Sequence, residues 1–454
     1  MKINIVCDYL HLSQYQKKFS LAEKVVYLSP SPKKGNVNFD LAAFESALGC
    51  PLDPVSADLC EIAACVYLAD KAIRRGEFDN WARNLSFLVP VREPTKWNLV
   101  RKHLTNTIAT LTGDSVQFEF TKREEERGRG KYTLLNKSAT PKLTQFDCVS
   151  LFSGGLDSFA GAVFLLQQRR RPLFISHYVN ALLKNVQSNL IDDIRIRFGH
   201  AFEHLQYKVT SKRTAEEKFS FKANESSHRA RSFLFLSFAA VAAAMRGVKD
   251  IYICENGVLA LNVPLSEARQ GSRSTRHAHP LYLKYFNRLI TSLYEREFSI
   301  LNPFLFWTKG KEAELLRSSG FSSAIKDTVS CWGYPNQTIH FKDCNHCGYC
   351  IPCIVRRVSV TASGMAPFDD RYFYDVFSAD GKVKKAQSRN IDDLVLFCQS
   401  VASLSTNDLV YRYPEFFMIE ADEDPFPSDK VAEIVKVYKN FAKEVLAAVK
   451  HNPS

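Results

Sequence analysis

The stretch Phe152-Ser153-Gly154-Gly155-Leu156-Asp157-Ser158 decides how this chain folds. It follows a short apolar run at 147–152 that reads as a strand, and it opens a segment, 158–170, with Phe159, Val163 and Leu166 at helical spacing. Two adjacent glycines let the backbone turn sharply and bring its N–H groups to a ligand. Ser153 and Ser158 add hydroxyl donors, and the helix that follows points its positive end into the loop. Together these residues predict a nest for an anion such as pyrophosphate. Asp157 would repel a bare phosphate, so its expected task is to cap the helix or to help hold Mg2+. A Walker loop would end in Gly-Lys-Ser/Thr, which does not occur here.

Outward from this loop, strands and helices alternate. Residues 172–178 read as a strand and 184–198 as an amphipathic helix, with Val186, Leu190 and Ile194 four apart. A third strand is expected at 204–209, a helix apolar nearly all round at 231–245, and a fourth strand at 250–254. This alternation argues for a parallel sheet covered by helices on both faces. Ligands of such sheets lie outside the carboxyl ends of the strands. That places residues 153–158, His177 and Glu255-Asn256-Gly257 on one rim.

Of the twelve cysteines, seven are scattered through apolar runs and read as small hydrophobes. Cys331, Cys344, Cys347, Cys350 and Cys353 crowd together instead. Cys-x-x-Cys pairs on tight turns can aim thiolates at one tetrahedral ion, which favours structural Zn2+. Cys347, Cys350 and Cys353 offer three ligands. Cys331 or Cys344 supplies the fourth, with His340 and His346 as outside candidates.

A length of 454 residues suggests two or three domains. Hydrophobic residues at 46% and charged residues at 24% exclude a mainly disordered chain. No apolar run is long enough to span a membrane, and the start lacks the features of a secretory signal, so the cytoplasm is the expected compartment. A net charge of +12 suits an anionic partner, but over this length the bias is mild, so nucleic acid is not the favoured ligand. Residues 1–145 read as an α+β domain, with strands at 3–7, 24–28, 85–91, 116–120 and 132–135 and a helix at 58–73. A charged hairpin tip is expected at 121–131. Residues 146–365 form the nucleotide domain, including the cysteine cluster at 331–353. Residues 366–454 read as mainly helical, with a stripe from Val431 to Val449 packed on the body.

The loop resembles that of the PP-loop ATP pyrophosphatases, which cleave ATP between its α and β phosphates and activate an oxygen as an adenylate. Thr328-Val329-Ser330-Cys331, then Cys347-Gly348-Tyr349-Cys350-Ile351-Pro352-Cys353, then Arg356, are similar to QueC, the 7-cyano-7-deazaguanine synthase family. Arg231 before an apolar helix and Thr308-Lys309 after Pro303 extend the likeness over about 147–360. The resemblance implies a parallel five-stranded sheet, ATP with Mg2+, and zinc on Cys331, Cys347, Cys350 and Cys353. It implies a nucleotide site of Phe152, Ser153, Gly154, Gly155, Leu156, Asp157, Ser158 and His177. Ser153, Asp157, Ser158, Arg231 and Lys309 become the catalytic candidates; Arg231, Glu255, Asn256, Arg276 and His277 become the substrate candidates.

The sequence departs from the QueC pattern at Thr275-Arg276-His277-Ala278-His279-Pro280, which replaces a Tyr-Pro-Asp-Cys-Arg stretch. Lys311 stands where QueC usually has Glu. In an extended segment His277 and His279 would face the same side. The larger architecture is similar to the QueC-like proteins of bacterial anti-phage operons, of the QatC type of the Qat system. That likeness implies a deazapurine carboxylate as substrate, ammonia or a protein amine as nucleophile, and other operon proteins as partners. Two rival readings are a tRNA-modifying PP-loop enzyme and a non-catalytic ATP-binding scaffold.

Overall fold

The computed structural model describes residues 2–7, 24–29, 35–75, 82–123, 145–211, 225, 227–265, 276–331, 333–334, 344–377, 385–413 and 428–451. The expected strand at 132–135, most of the hairpin tip, Thr275 and His340 lie outside them.

Strands β1 (Lys2–Cys7), β2 (Lys24–Leu28) and β3 (Val37–Phe39) precede α1 (Leu41–Leu48) and α2 (Pro54–Ala72). Next come β4 (Asn84–Val91), α3 (Pro94–Thr112) and β5 (Ser115–Lys122). The alternating region holds β6 (Cys148–Leu151), α4 (Leu156–Gln167), β7 (Pro172–Tyr178), α5 (Ala181–Phe198), β8 (Glu203–Ser211) and α6 (Arg231–Met245). After it come β9 (Asp250–Tyr252), α7 (Gly257–Ala260), α8 (Pro280–Tyr294), β10 (Ser299–Leu301) and α9 (Lys309–Ser318). The remaining helices are α10 (Ile351–Ala362), α11 (Lys385–Ser403), α12 (Thr406–Arg412) and α13 (Ser428–His451).

One sheet has the order β2–β1–β4–β5, and every pairing in it is parallel. The segment expected to be α+β therefore carries a parallel α/β sheet. The reading missed α3, the crossover from β4 to β5, although its buried Trp97, Val100, Leu104, Ile108 and Leu111 keep helical spacing. Pro94 starts that helix and Gly113, in the left-handed conformation, ends it. The other sheet has six strands in the order β10–β9–β6–β7–β8–β3, one more than the five expected. Two of its strands, β10 and β3, were not read from the sequence; β3 is three residues long and antiparallel to β8, with Phe39 opposite Val209.

The chain divides into two units. The first combines residues 1–149, 202–251 and 282–300. In it α2 is buried along most of its length, with Asp53 as N-cap accepting from the Ser56 amide. Phe238 of α6 stacks on Tyr207 at 4.0 Å and meets Phe39 and Phe44 edge-on. A buried knot of Asp70, Arg75, Arg83 and Asp114 fastens the start of α6, where the Ala230 amide donates to Asp70 at 2.9 Å.

The second unit combines residues 150–201, 252–281 and 301–454. An apolar cluster in it joins α7, α10, α11 and α13 through Val258, Ile354, Val358, Leu394, Tyr438 and Phe441. The stripe read from the sequence is thus the buried face of α13. Among the described residues no helix is long and apolar enough to cross a membrane.

Candidate functional site

The glycine loop leaves β6 at Phe152, whose amide donates to the Ile175 carbonyl on β7 at 2.9 Å and whose own carbonyl accepts from Ser176 Oγ at 2.6 Å. Gly154 has φ of +85°, and a Cβ there would press on Val186 and Gln187 at 3.2 and 3.3 Å. Only glycine makes that turn without strain. Gly155 is the N-cap of α4 in extended conformation, with no side-chain cap hydrogen bond. The loop is cross-braced by its hydroxyls. The amide of Ser153 donates to Ser158 Oγ at 3.2 Å, the amide of Gly155 donates to Ser153 Oγ at 3.2 Å, and Ser158 Oγ donates to the Gly155 carbonyl at 3.0 Å. From outside, the Val329 amide donates to the Gly154 carbonyl at 2.9 Å, and Gln187 Nε2 bridges the carbonyls of Ser153 and His177. The result is a preshaped turn at a helix N-terminus, suited to an anion.

One turn into α4 lies a charged cluster that the sequence showed only in part. Asp157 Oδ2 pairs with the Lys309 ammonium, and both side chains are nearly buried. Asp157 Oδ1 accepts from Asn256 Nδ2 at 2.7 Å. Asn256 in turn caps α7 by accepting from the Leu259 amide, and it donates to Glu255 Oε1 at 2.9 Å. Glu255 Oε2 lies 2.6 Å from His277 Nε2. Its backbone is pinned on both sides by the Asn302 amide group. Lys309 is held in the first turn of α9, whose N-cap Thr308 accepts from the Lys311 amide.

Burial would raise the Asp157 carboxyl. Lys309, with Glu312 and Asn256, outweighs that and holds it far below the ordinary carboxylate range. Lys309 shows the mirror balance: burial opposes its charge, but Asp157, Glu312 and Glu255 raise it. Glu312 is wholly enclosed on the same face of α9, and burial followed by the Asp157 charge pushes it well above the usual range. Burial and Asp157 also raise Glu255, against His277 and Lys309. Asp157 does not cap α4, contrary to one expectation for it. With Lys309 on one oxygen and Asn256 on the other, a Mg2+ at this carboxylate would compete with Lys309.

Four sulfurs meet in the same unit. Cys331, Cys347, Cys350 and Cys353 are buried, with their sulfurs within 4.8 Å of one another, and Cys347 Sγ lies 3.8 Å from Cys353 Sγ. A tetrahedron with arms of about 2.3 Å has edges of about 3.8 Å, so the spacing fits zinc. The four thiols could hold a metal such as zinc. Of the two candidates for a fourth thiol, Cys331 is in the group and Cys344 is not. His346 is not in the group; its Nε2 accepts from the Ser330 amide at 3.2 Å. Gly348 has φ of +85°, and a Cβ would overlap the Tyr374 carbonyl, so the knuckle closes only around glycine. Cys350 caps α10, and Arg356 on that helix donates to Thr328, Ile325 and Asp369. The segment that carries Cys331 thereby also reaches the glycine loop, through the Val329 amide on the Gly154 carbonyl.

Residues 147–364 match the family model of QueC, described as queuosine biosynthesis protein QueC. That segment is QueC-like. No curated protein matches the chain. The QueC match implies an ATP-dependent, ligase-like reaction of the kind that makes 7-cyano-7-deazaguanine.

Within the QueC-like segment the structure brings Asp157, Asn256, Glu255, His277 and Lys309 into one connected chain of contacts. His177 is buried on β7, tied to the loop through Gln187. Arg276 begins the described stretch that leads into α8 and is half-buried. Arg231 starts α6 in the first unit, with its guanidinium over the Phe235 ring. His277 and His279 do not share a face as expected. The segment turns rather than extends, with the His279 amide donating to the Arg276 carbonyl at 3.2 Å. His279 is buried, and its Nδ1 accepts from the Leu281 amide at the start of α8. Lys311 stacks its ammonium on Trp307 at 4.2 Å from the ring centre. Sequence reading missed Glu312 and Asn302. The signal for Glu312 was its place three residues after Lys309 on a helix, which puts both on one face.

Proposed function

We propose that the chain is an ATP-dependent ligase that adenylates the carboxylate of 7-carboxy-7-deazaguanine or a related deazapurine and passes the acyl group to a nitrogen nucleophile. The observation that carries the reading is the braced Ser153–Ser158 turn at the start of α4, set beside the buried Asp157–Lys309 pair. In the first half-reaction a substrate carboxylate oxygen attacks the α phosphorus. The α–β bridging bond breaks, and pyrophosphate leaves. The loop amides not spent on the braces, the Ser153 hydroxyl and the end of α4 meet the charge that grows on the leaving group, while Ser158 holds the turn in shape. Lys309, kept protonated by Asp157, adds a fixed positive charge. In the second half-reaction the nitrogen attacks the carbonyl carbon, and AMP leaves with the transferred oxygen.

Glu255, Asn256, Arg276 and His277 are the substrate-side residues in this reading; Arg231 is assigned by family resemblance. Cys331, Cys347, Cys350 and Cys353 hold a structural Zn2+, and Mg2+ accompanies the ATP phosphates. The altered stretch around Arg276 and His277 and the regions outside 147–364 support a stable amide to a protein amine as the product, within a bacterial anti-phage system of the Qat type. Incubation with ATP and 7-carboxy-7-deazaguanine, with and without ammonia, tests it. AMP formed only with the deazapurine supports the reading. AMP formation that needs tRNA, or no turnover at all, replaces it with tRNA modification or with an ATP-binding scaffold. An unchanged intact mass in every co-expressed operon protein removes the protein-amine acceptor.

A further inference from the structure

Helix α13 lies outside the QueC-like segment, yet it touches that segment at several points that lead to the charged cluster. Tyr438 Oη donates to the Val258 carbonyl on α7 at 3.0 Å, and α7 is the helix capped by Asn256. Val437 borders Gly257 of the same short helix, 3.3 Å from where a Cβ would stand. Two turns on, Glu444 reaches α9. Its Oε1 accepts from Thr308 Oγ1 at 2.5 Å, and its carboxyl fills the space a side chain at Gly310 would need.

Glu444 has no cationic partner among the described residues. It faces the N-terminal end of α9 instead, where the first amides lack helical acceptors and the helix dipole favours negative charge. Thr308 is the cap of that helix and Lys309 its first residue. One hydroxyl therefore serves two ends: it accepts from the Lys311 amide and donates to Glu444. Gly310 leaves the gap through which the carboxyl approaches.

We propose that Glu444 is a positioning residue. Through Thr308 and the first turn of α9 it holds Lys309 against Asp157, so α13 is a working part of the nucleotide site. The inference rests on the reading of residues 153–158 as the ATP loop, but its geometry can be tested apart from turnover.

The experiment uses the full chain with wild type, Glu444→Ala, Glu444→Gln and Thr308→Ala. Amine-selective acylation read by peptide mass spectrometry reports the access of Lys309. Loss of this part-buried hydrogen bond should raise Lys309 labelling by about tenfold in Glu444→Ala and in Thr308→Ala. Glu444→Gln keeps an acceptor and should label like wild type. Where turnover exists, the alanine variants should lower kcat for AMP formation while Glu444→Gln restores it. Folded Glu444→Ala with wild-type labelling overturns the proposal. If that variant does not fold, wild-type labelling in Thr308→Ala overturns it equally. A wild type that labels as expected but turns over no ATP sinks the ligase reading and leaves the positioning result intact.

Discussion

Replacing Arg356 by Met should destabilise the protein by about 3–5 kcal/mol, the cost of leaving one partner of a buried ion pair alone. The guanidinium is fully enclosed and Asp369 is nearly so. Nε and Nη2 both donate to Asp369 Oδ1, at 3.0 and 2.8 Å. Nη1 donates to Thr328 Oγ1 at 2.7 Å and Nη2 to the Ile325 carbonyl at 2.7 Å. Met replaces the aliphatic stem but none of these donors. Asp369 would retain the Tyr372 hydroxyl at 2.6 Å and the Asp370 amide at 2.9 Å, two neutral donors that support a charge only in part. The unpaired carbonyls each add a cost of about 1–3 kcal/mol where water cannot reach them, so the carboxylate sets the scale and the acceptors the upper end. Urea unfolding of metal-loaded wild type and variant gives the difference, and a cycle with Asp369→Asn isolates the pair. A loss under about 1 kcal/mol, the range of an exposed pair, would refute the reasoning.

Gly154→Ala puts a Cβ into a left-handed backbone and against Val186, costing about 1–2 kcal/mol at the loop. Calorimetric titration with ATP should show about tenfold weaker binding; unchanged affinity would mean the turn is not preshaped for the nucleotide. Elemental analysis should find about one zinc per chain, and chelation should expose the four clustered thiols and lower the unfolding temperature. A metal-free native chain indifferent to chelator contradicts that assignment. Burial, with help from Glu314 and against Thr308 and the Gly310 amide, lifts Glu444 from 4.5 to about 7. Between those values the folded chain binds a proton that the unfolded chain has released. The contribution of Glu444 to stability therefore falls as pH rises through that window. Glu444→Gln should flatten this part of the stability profile between pH 5 and 8; parallel profiles would show that Glu444 is not the titrating group.

The sequence was most legible where spacing and chemistry coincided. The loop at 153–158 and the cysteines at 331, 347, 350 and 353 each combine a rare residue type with a short fixed interval, so local reading reached them. β7 and α6 were read to their exact observed ends, since a run bounded by Pro172 and a helix ended by Gly247 carry their own punctuation. The misses have physical reasons. β3 is three residues long, too short to show a period, and it exists because Phe39 packs against Phe238, distant in sequence. The α3 crossover hides its apolar face among many polar residues. Glu312 shares a helix face with Lys309 by its interval, but only folding brings it to Asp157, and only folding brings Asn302 to the Glu255 backbone. His279 misled because alternation predicts a shared face only for an extended segment, and this one turns.

Adenylation of a carboxylate is decided by where one oxygen goes. With 7-carboxy-7-deazaguanine labelled with oxygen-18 in its carboxylate, ATP and a nitrogen donor, the AMP released should carry a label oxygen and appear together with pyrophosphate. AMP without label, or ADP and phosphate in place of AMP and pyrophosphate, would contradict the claim that this loop serves adenylation of a carboxylate.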